Sequence, residues 1–529
     1  MLQTPRSRRG MVTSPHHLAS QAGLDVLKAG GTAVEAAIAT AAALAVVYPH
    51  MTHIGGDGFW LIAEKGEAPI SIDAAGRAGE AATPDLYRSR GLSAVPLRGP
   101  LAANTVAGTV SGWAEALAAT AHWQDPMPLE ALLEPAAWYA ENGMVVTGIQ
   151  SRLTAEKRPE IGDQPGFADV FLPGGEVPAE GALLKQPAMA ETLRRLAREG
   201  LDSFYRGPLA RTIAADLEAV GSPVTASDLA RHQALRVEPL SVAIRGARLF
   251  NQRPPTQGLS SLMILALFDR LGVTEGEGFD HIHGLIEATK QAFLIRDGMI
   301  GCPSVMTVDP AAFLTDGALA MRATRIDRAR AARWPHDAAP GDTIWLGVID
   351  GEGRAVSFIQ SIYFEFGSGC VLPETGIVWQ NRGSAFALAG DGPRVLAPGR
   401  QPFHTLNPAM ALFDDGRHMV YGTMGGEGQP QTQSALFSRY AMFGMPLQEA
   451  LTAPRWRLGK TWGDDMTNLV LENRFDPALV EALRAAGHDL ALMGPFDSAL
   501  GHAGAIVRHA DGTFEGATDP RSDGAVAAW

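Results

Sequence analysis

Thr343 follows Asp342 and opens an apolar run, Thr343-Ile-Trp-Leu-Gly-Val-Ile349. A threonine hydroxyl is a weak nucleophile until a base takes its proton. Cutting the Asp342–Thr343 bond would create that base in the same residue, a free α-amine with a reference pKa of about 8. Before cleavage the same hydroxyl could attack the preceding carbonyl, so activation would be intramolecular. The local pattern also suits a plainer role, a β-branched residue opening a strand, and does not select between the two. Met424-Gly-Gly426 is a second chemical feature. Adjacent glycines in a tight turn can converge their N–H groups on one oxygen, as a tetrahedral oxyanion requires. An ordinary turn is written with the same residues. Gly55-Gly56 lacks the Lys-Ser/Thr of a phosphate loop, so tight packing is expected there.

The elements that must position these groups are partly readable. Two apolar runs flank the Gly-containing turn Asp350-Gly-Glu-Gly-Arg354, and the second, Ala355 to Tyr363, pairs back as a hairpin. Antiparallel pairing brings Ser361 to Tyr363 beside Thr343, with turn details deciding which hydroxyl lies nearer. Thr32-Ala-Val-Glu35 is a capping box that starts a helix, which follows a shorter helix stopping at Gly30-Gly31 and ends before Pro49. Gly55 to Gly58 leads into a buried strand, Phe59 to Ile62. Residues 110–235 read as largely helical, for example Leu129 to Asn142 and Ala188 to Gly200, and a further helix spans about His281 to Arg296. Arg322 to Gly341, rich in Arg, Ala, Asp and Pro, reads as an exposed connector just before Thr343. There is no internal repeat.

With 46% hydrophobic and 19% charged residues, the 529-residue chain reads as an ordinary globular protein. A net charge of −13 argues against nucleic acid and anionic membrane as partners. The basic N-terminus lacks an apolar stretch, and Ala33 to Val47 is too short to span a bilayer, so a cytoplasmic location is expected. Cys302 and Cys370 read as reduced structural thiols. No metal or cofactor is expected, and His281 and His283 read as structural.

The order of segments resembles the γ-glutamyltranspeptidases over nearly the whole chain. It is carried by Gly30-Gly-Thr-Ala-Val-Glu-Ala36, Gly55-Gly-Asp-Gly-Phe59, Phe204-Tyr-Arg-Gly207, Arg253-Pro-Pro-Thr-Gln-Gly258, Glu449-Ala-Leu-Thr-Ala-Pro-Arg455 and Asp519-Pro-Arg-Ser522. Asp350, Gly353, Ala355 to Val356, Phe366-Gly367 and Gly369 extend the match past Thr343. The resemblance implies a four-layer α/β/β/α sandwich of the N-terminal-nucleophile (Ntn) hydrolase class. The precursor would be cut between Asp342 and Thr343 into fragments 1–342 and 343–529, folded as one intertwined body. Thr343 would be nucleophile and base, Gly425 and Gly426 the oxyanion hole, with Ser361 in the catalytic group. One heterodimer and a pair of them both stay open.

Several positions depart from the family pattern. The arginine slot after Asp73 falls on Ala75, with Arg77 two residues on and expected outside the substrate's reach. The acidic partner for a substrate ammonium falls on Ala385, the paired serines become His404-Thr405, and Tyr363 replaces a small polar residue. Without the acidic group a γ-glutamyl ammonium would be desolvated unpaired, so poor binding is expected. Arg382 remains for a carboxylate, which a guanidinium can grip bidentately, aided by His404 and Thr405. Ala385 to Pro402 is short, so an open pocket is expected. These features resemble the family's oxamate amidohydrolase branch; the alternative substrate is glutathione or another γ-glutamyl amide.

Overall fold

The computed structural model of the chain describes residues 3–334, 342–459 and 468–529. Among them lie two seven-stranded sheets stacked face to face. The first runs, edge to edge, Ala525–Ala528, Gly10–Ser14, Asp342–Asp350, Ala355–Tyr363, Asp57–Ala63, Ile70–Ala74 and Leu235–Val237. The second runs Arg6–Ser7, Phe514–Thr518, Ala503–Arg508, His418–Thr423, Ala409–Phe413, Ala247–Asn251 and Leu240–Ile244. Each sheet mixes strands from both sides of position 343, so neither stretch could complete a sheet alone.

The hydrophobic cores define the layers. Met11, Phe59, Leu61, Trp345, Ile359, Met410, Val420 and Ile506 fill the space between the sheets. Val12, Trp60, Ile344, Leu346 and Val348 face the other way, against helices Ala33–Val47 and Leu129–Asn142. The second sheet's outer face, with Leu249, Ala411 and Met419, packs on helices Gly258–Leu271 and Phe279–Met299. The result is the α/β/β/α sandwich.

Helix Ala33–Val47 starts as its residues dictate. Glu35 N donates to Thr32 Oγ1 at 3.3 Å and Thr32 N donates to Glu35 Oε2 at 2.7 Å, closing the capping box. All of its residues are buried, and the many alanines let it lie close to its neighbours.

Residue alternation along Asp342–Asp350 decides where the candidate nucleophile points. Ile344, Leu346 and Val348 face the helices, whereas Trp345 and Ile349 face the second sheet. A strand reverses its side chains at every residue, so Thr343 shares the inter-sheet face with Trp345. Trp345 is 2% exposed and donates from Nε1 to Ser357 Oγ at 2.9 Å. Three glycines leave its indole room: a Cβ on Gly347, Gly422 or Gly504 would lie 2.6, 2.2 or 2.5 Å from it. Trp345→Ala should therefore open a large cavity under Thr343 and cost about 3–5 kcal/mol, read by chemical denaturation. A loss below about 1 kcal/mol would mean that the indole does not hold the sheets together.

The connector before Thr343 differs from the expectation of a loose linker. Arg322 ends inside helix Asp316–Ala323, and the stretch beyond it is tied down. Ala331 N donates to Ala486 O at 2.8 Å, Ala332 N to Glu287 Oε2 at 3.1 Å, and Lys290 Nζ to Ala332 O at 2.6 Å. Glu287 and Lys290, one helical turn apart, thus hold both ends of one residue. Composition registers exposed side chains but not bonds to the backbone. The expected connector from residue 335 to Gly341 lies outside the described residues.

Burial makes the fold acid-sensitive. It holds His16, His53, His488 and His502 at about 3 and His232, His404 and His418 at about 4. An unfolded histidine titrates near 6.5, so between these values the unfolded chain binds more protons. That stability is fully present above pH 6.5 and drains away as pH falls through 4 and 3. Asp73 and Asp350, raised to about 6 by burial, act oppositely: their contribution is full below 3.8 and lost as pH rises through 6. Burial also raises Asp216, Glu365, Glu427 and Asp523, but the lowered histidines, His50 and His281 included, still outnumber the raised carboxyls, so Tm at pH 5 should lie several degrees below Tm at pH 7.5 in a thermal melt. Equal values at the two pH values would contradict neutral, buried histidines.

Candidate active site

Thr343 is fully buried at the start of its strand. Asp342 pairs with Tyr363 and Ile344 with Gln360, so Ser361 and Ile362 lie together opposite Thr343 in a bulge. The register thus sets Ser361 opposite Thr343 and Tyr363 opposite Asp342, with one extra residue that the hairpin pattern did not show. Ser361 Oγ accepts from Tyr363 N at 2.8 Å, within a turn where Tyr363 adopts φ 82°. Positive φ is rare for an aromatic residue and marks a backbone held by its surroundings. Gly56 presses on the bulge from behind: a Cβ there would sit 2.1 Å from Ser361 O, which is the tight packing its sequence suggests.

Across the inter-sheet space, strand His418–Thr423 ends in the Met424-Gly-Gly turn. Gly425 and Gly426 have φ 115° and 52°, values that residues with a Cβ adopt at a cost. Gly501 Cα would lie 3.2 Å from a Cβ at 425. Arg455 Nη1 donates to Gly501 O at 2.7 Å and pairs with Asp519, itself paired with Arg521. The Glu449-to-Arg455 and Asp519-to-Ser522 segments thus brace the glycine turn from below.

The remaining groups close a circuit between the turn and Thr343. Gln429 Nε2 donates to Thr343 Oγ1 at 3.3 Å. Gln257 Nε2 donates to Gly426 O at 2.7 Å and Thr405 O at 2.8 Å, joining the turn to the His404-Thr405 segment. Arg296 Nη1 donates to Gln257 Oε1 at 3.2 Å, and its Nη2 lies 3.2 Å from Glu427. Arg382 Nη1 donates to Thr405 Oγ1 at 3.4 Å, and its Cζ stacks 3.7 Å from the centre of the Tyr363 ring. Tyr363 returns the circuit to the strand that carries Thr343.

Arg382 is 1% exposed, yet its Nη2 has no hydrogen-bond partner. Burial lowers its pKa to about 10, so it stays charged at neutral pH, and burial pushes the Tyr363 phenol up to about 12, so that ring stays neutral. Buried cations are ordinarily paired. His404 is fully buried, edge-on to Phe59 at 5.0 Å; burial first and Arg382 second hold it neutral, at about 4. Its Nε2 lies 3.2 Å from Asp57 Oδ2 without hydrogen-bonding alignment, and both atoms lack a partner. Asp57 Oδ1 instead accepts from Gly76 N, Gly108 N and Gln380 Nε2. The arrangement offers an anion a guanidinium edge and a neutral imidazole.

The γ-glutamyltranspeptidase family model matches residues 19–529. The chain belongs to the γ-glutamyltranspeptidase family. It is an enzyme of the self-processing Ntn amidohydrolase class. It is 54% identical to the oxamate amidohydrolase proenzyme of Klebsiella pneumoniae subsp. pneumoniae, over 99% of each chain. It is 39% identical to the glutathione hydrolase-like YwrD proenzyme of Bacillus subtilis, over 98% of each. The crystal structure of the cephalosporin acylase from Bacillus halodurans superposes with a TM-score of 0.92 at 34% identity, covering 100% of this chain and 97% of that one.

Within this γ-glutamyltranspeptidase family member, Thr343, Ser361, Tyr363, Arg382, Thr405, Gly425 and Gly426 come together, with His404 beside Arg382. Arg77 does not join them: its Nη1 donates to Gly399 O at 3.2 Å, beside a separate cavity of about 340 Å³ also lined by Asp228 and His232. The expectation of an open pocket is corrected. Thr343, Tyr363, Arg382, His404 and Thr405 are all buried, and the short segment after Ala385 is itself packed down, Phe386, Leu388 and Leu396 joining Tyr87 and Val95 in one apolar cluster. Cys302 and Cys370 are buried free thiols, as expected. Among the described residues no helix is long and apolar enough to cross a membrane.

His281 and His283 are both buried and hydrogen-bonded, and His283, Glu287 and His488 bring ligand-capable atoms within 4.8 Å of one another. His281 Nδ1 accepts from Glu277 N at 2.9 Å and His283 Nδ1 meets His488 Nε2 at 2.8 Å. Glu287, the third member of that His283–His488 cluster, is already engaged by Lys290 and Ala332. Sequence reasoning missed Asp57, Gln257, Arg296 and Gln429. The first two stand in the segments Gly55 to Phe59 and Arg253 to Gly258 that carry the family resemblance, but only spatial neighbours assign them a task.

Proposed function

We propose that the chain is cut between Asp342 and Thr343 into fragments of 342 and 187 residues. Thr343 then hydrolyses the amide of a small carboxylate-bearing acid, with oxamate as the leading substrate. The observation that carries the substrate reading is the buried Arg382, with an unpaired guanidinium edge and Ala385 where a γ-glutamyl ammonium would need an acid. The 54% identity to a protein named oxamate amidohydrolase supports it.

In this mechanism the freed α-amine takes the hydroxyl proton and Thr343 Oγ attacks the amide carbon. The carbonyl electron pair moves onto oxygen, where the Gly425 and Gly426 amides receive it. Each such donor contributes about 3–4 kcal/mol in comparable sites. The C–N bond breaks and the Thr343 ammonium protonates the leaving nitrogen, which departs as ammonia. Water, activated by the same amine, then releases the acid. Arg382 anchors the substrate carboxylate throughout, with neutral His404 as a further donor.

The test is ammonia release from oxamate beside p-nitroaniline release from γ-glutamyl-p-nitroanilide. Turnover of oxamate with little of the anilide is expected. Brisk turnover of the anilide alone would overturn the substrate reading and return the γ-glutamyl alternative.

A further inference from the structure

Gln429 begins helix Gln429–Phe437, directly after the glycine turn, and is fully buried. Its Nε2 reaches Thr343 Oγ1, but its Oε1 has no hydrogen-bond partner. A buried amide oxygen with nothing to accept is uncommon, because leaving it unmet costs about 1–3 kcal/mol. Nearby glutamines of the same helix show the ordinary pattern: Gln431 donates to Glu427 O and Leu458 O and accepts from Leu458 N. The orphaned oxygen is therefore held beside the nucleophile without a task in the folded chain.

The chemistry of the tetrahedral intermediate supplies one. Once Thr343 Oγ bonds to the amide carbon, Oγ and the departing nitrogen sit on the same carbon. Oγ accepts hydrogen bonds and the nitrogen still carries N–H. A carboxamide presents the complementary pair, an N–H donor and an oxygen acceptor, also on one carbon. With its donor already on Oγ, the acceptor of Gln429 falls next to the leaving nitrogen. Two-point contact of this kind forms only as the Oγ–C bond forms, so it favours the transition state over bound substrate.

We propose that Gln429 reads the departing group: its Nε2 fixes the Thr343 hydroxyl and its Oε1 accepts an N–H of the leaving nitrogen. The enzyme then selects amides with a nitrogen-borne hydrogen over esters and fully substituted amides. Gln429 transfers no proton. The inference rests on Thr343 as nucleophile and on the small-amide reading above.

The experiment compares kcat/KM for oxamate and for the monomethyl ester of oxalic acid, in the unaltered protein and in Gln429→Met. Losing the acceptor should lower the amide value about tenfold more than the ester value. Gln429→Glu, which keeps an acceptor oxygen, should recover part of the amide preference. A parallel fall for both substrates in Gln429→Met would overturn the proposal and leave Gln429 a structural residue. Should neither variant mature, the unaltered enzyme decides. N,N-dimethyloxamate should be at least about tenfold slower than N-methyloxamate after correction for alkaline reactivity, and equal corrected rates would overturn the proposal. If the unaltered enzyme turns over none of these compounds, the substrate reading falls, a result distinct from any change in the amide-to-ester ratio.

Discussion

Thr343→Ala yields a single intact chain with no measurable amide hydrolysis. The expectation follows from the double use of one residue. The hydroxyl is needed to open the Asp342–Thr343 bond and again to attack substrate, and the amine needed as base exists only after the first event. Removing the hydroxyl removes both, and the loss in rate should be on the order of 10⁴-fold or more. Denaturing electrophoresis and intact mass read the first effect, ammonia release the second. The fold should survive: alanine replaces a buried side chain whose strand is held by Trp345, Ile344 and Leu346. Thr343→Ser keeps the hydroxyl and should mature slowly. Correctly folded Thr343→Ala that turns over oxamate at the normal rate would end the mechanism.

Arg382→Met should separate binding from stability by moving them in opposite directions. The guanidinium is buried and only partly hydrogen-bonded, and it has no carboxylate within salt-bridge distance among the described residues. An isolated buried cation is costly, and an apolar side chain of similar volume usually leaves stability unchanged or raised. The substrate carboxylate, however, loses its charged partner. Charge-assisted hydrogen bonds contribute about 1.5–3 kcal/mol, so kcat/KM for oxamate should fall roughly 100-fold, mostly through KM. Arg382→Lys keeps the charge without the planar fork and should fall between. If Arg382 were only a structural cation, the methionine variant would unfold more easily and its KM would hardly move. Parallel thermal melts and steady-state kinetics distinguish the two.

These expectations depend on different kinds of information. The strand position of Thr343 was legible because a hairpin is local: two apolar runs around Asp350-Gly-Glu-Gly-Arg354 place residue 343 at a strand start, and nine-residue strands formed on both sides. The capping box at Thr32 was legible for the same reason, since its partners stand three residues apart. Arg382 as an anion-binding residue was inferred from the resemblance and the missing acid at Ala385. The burial of the site was not legible, because it depends on segments distant in the chain; after Ala385, for example, Phe386, Leu388 and Leu396 meet Tyr87 and Val95, roughly 300 residues earlier.

The order of residues alone determined the chemical types present: a threonine that can become a chain end, glycines able to turn two amides one way, and an arginine with no acid at Ala385. It also determined that the strands on either side of position 343 belong to one hairpin. Tertiary structure decided which of these groups meet. The Gln257 bridge between Gly426 and Thr405 and the contact of Gln429 with Thr343 join residues 86 to 169 positions apart, and the bulge opposite Thr343 sets which hairpin residues face it. Hydrogen bonds and packing act over a few ångströms and carry no trace in local sequence periodicity. Only the stacking of two sheets built from both halves of the chain brings those atoms within reach.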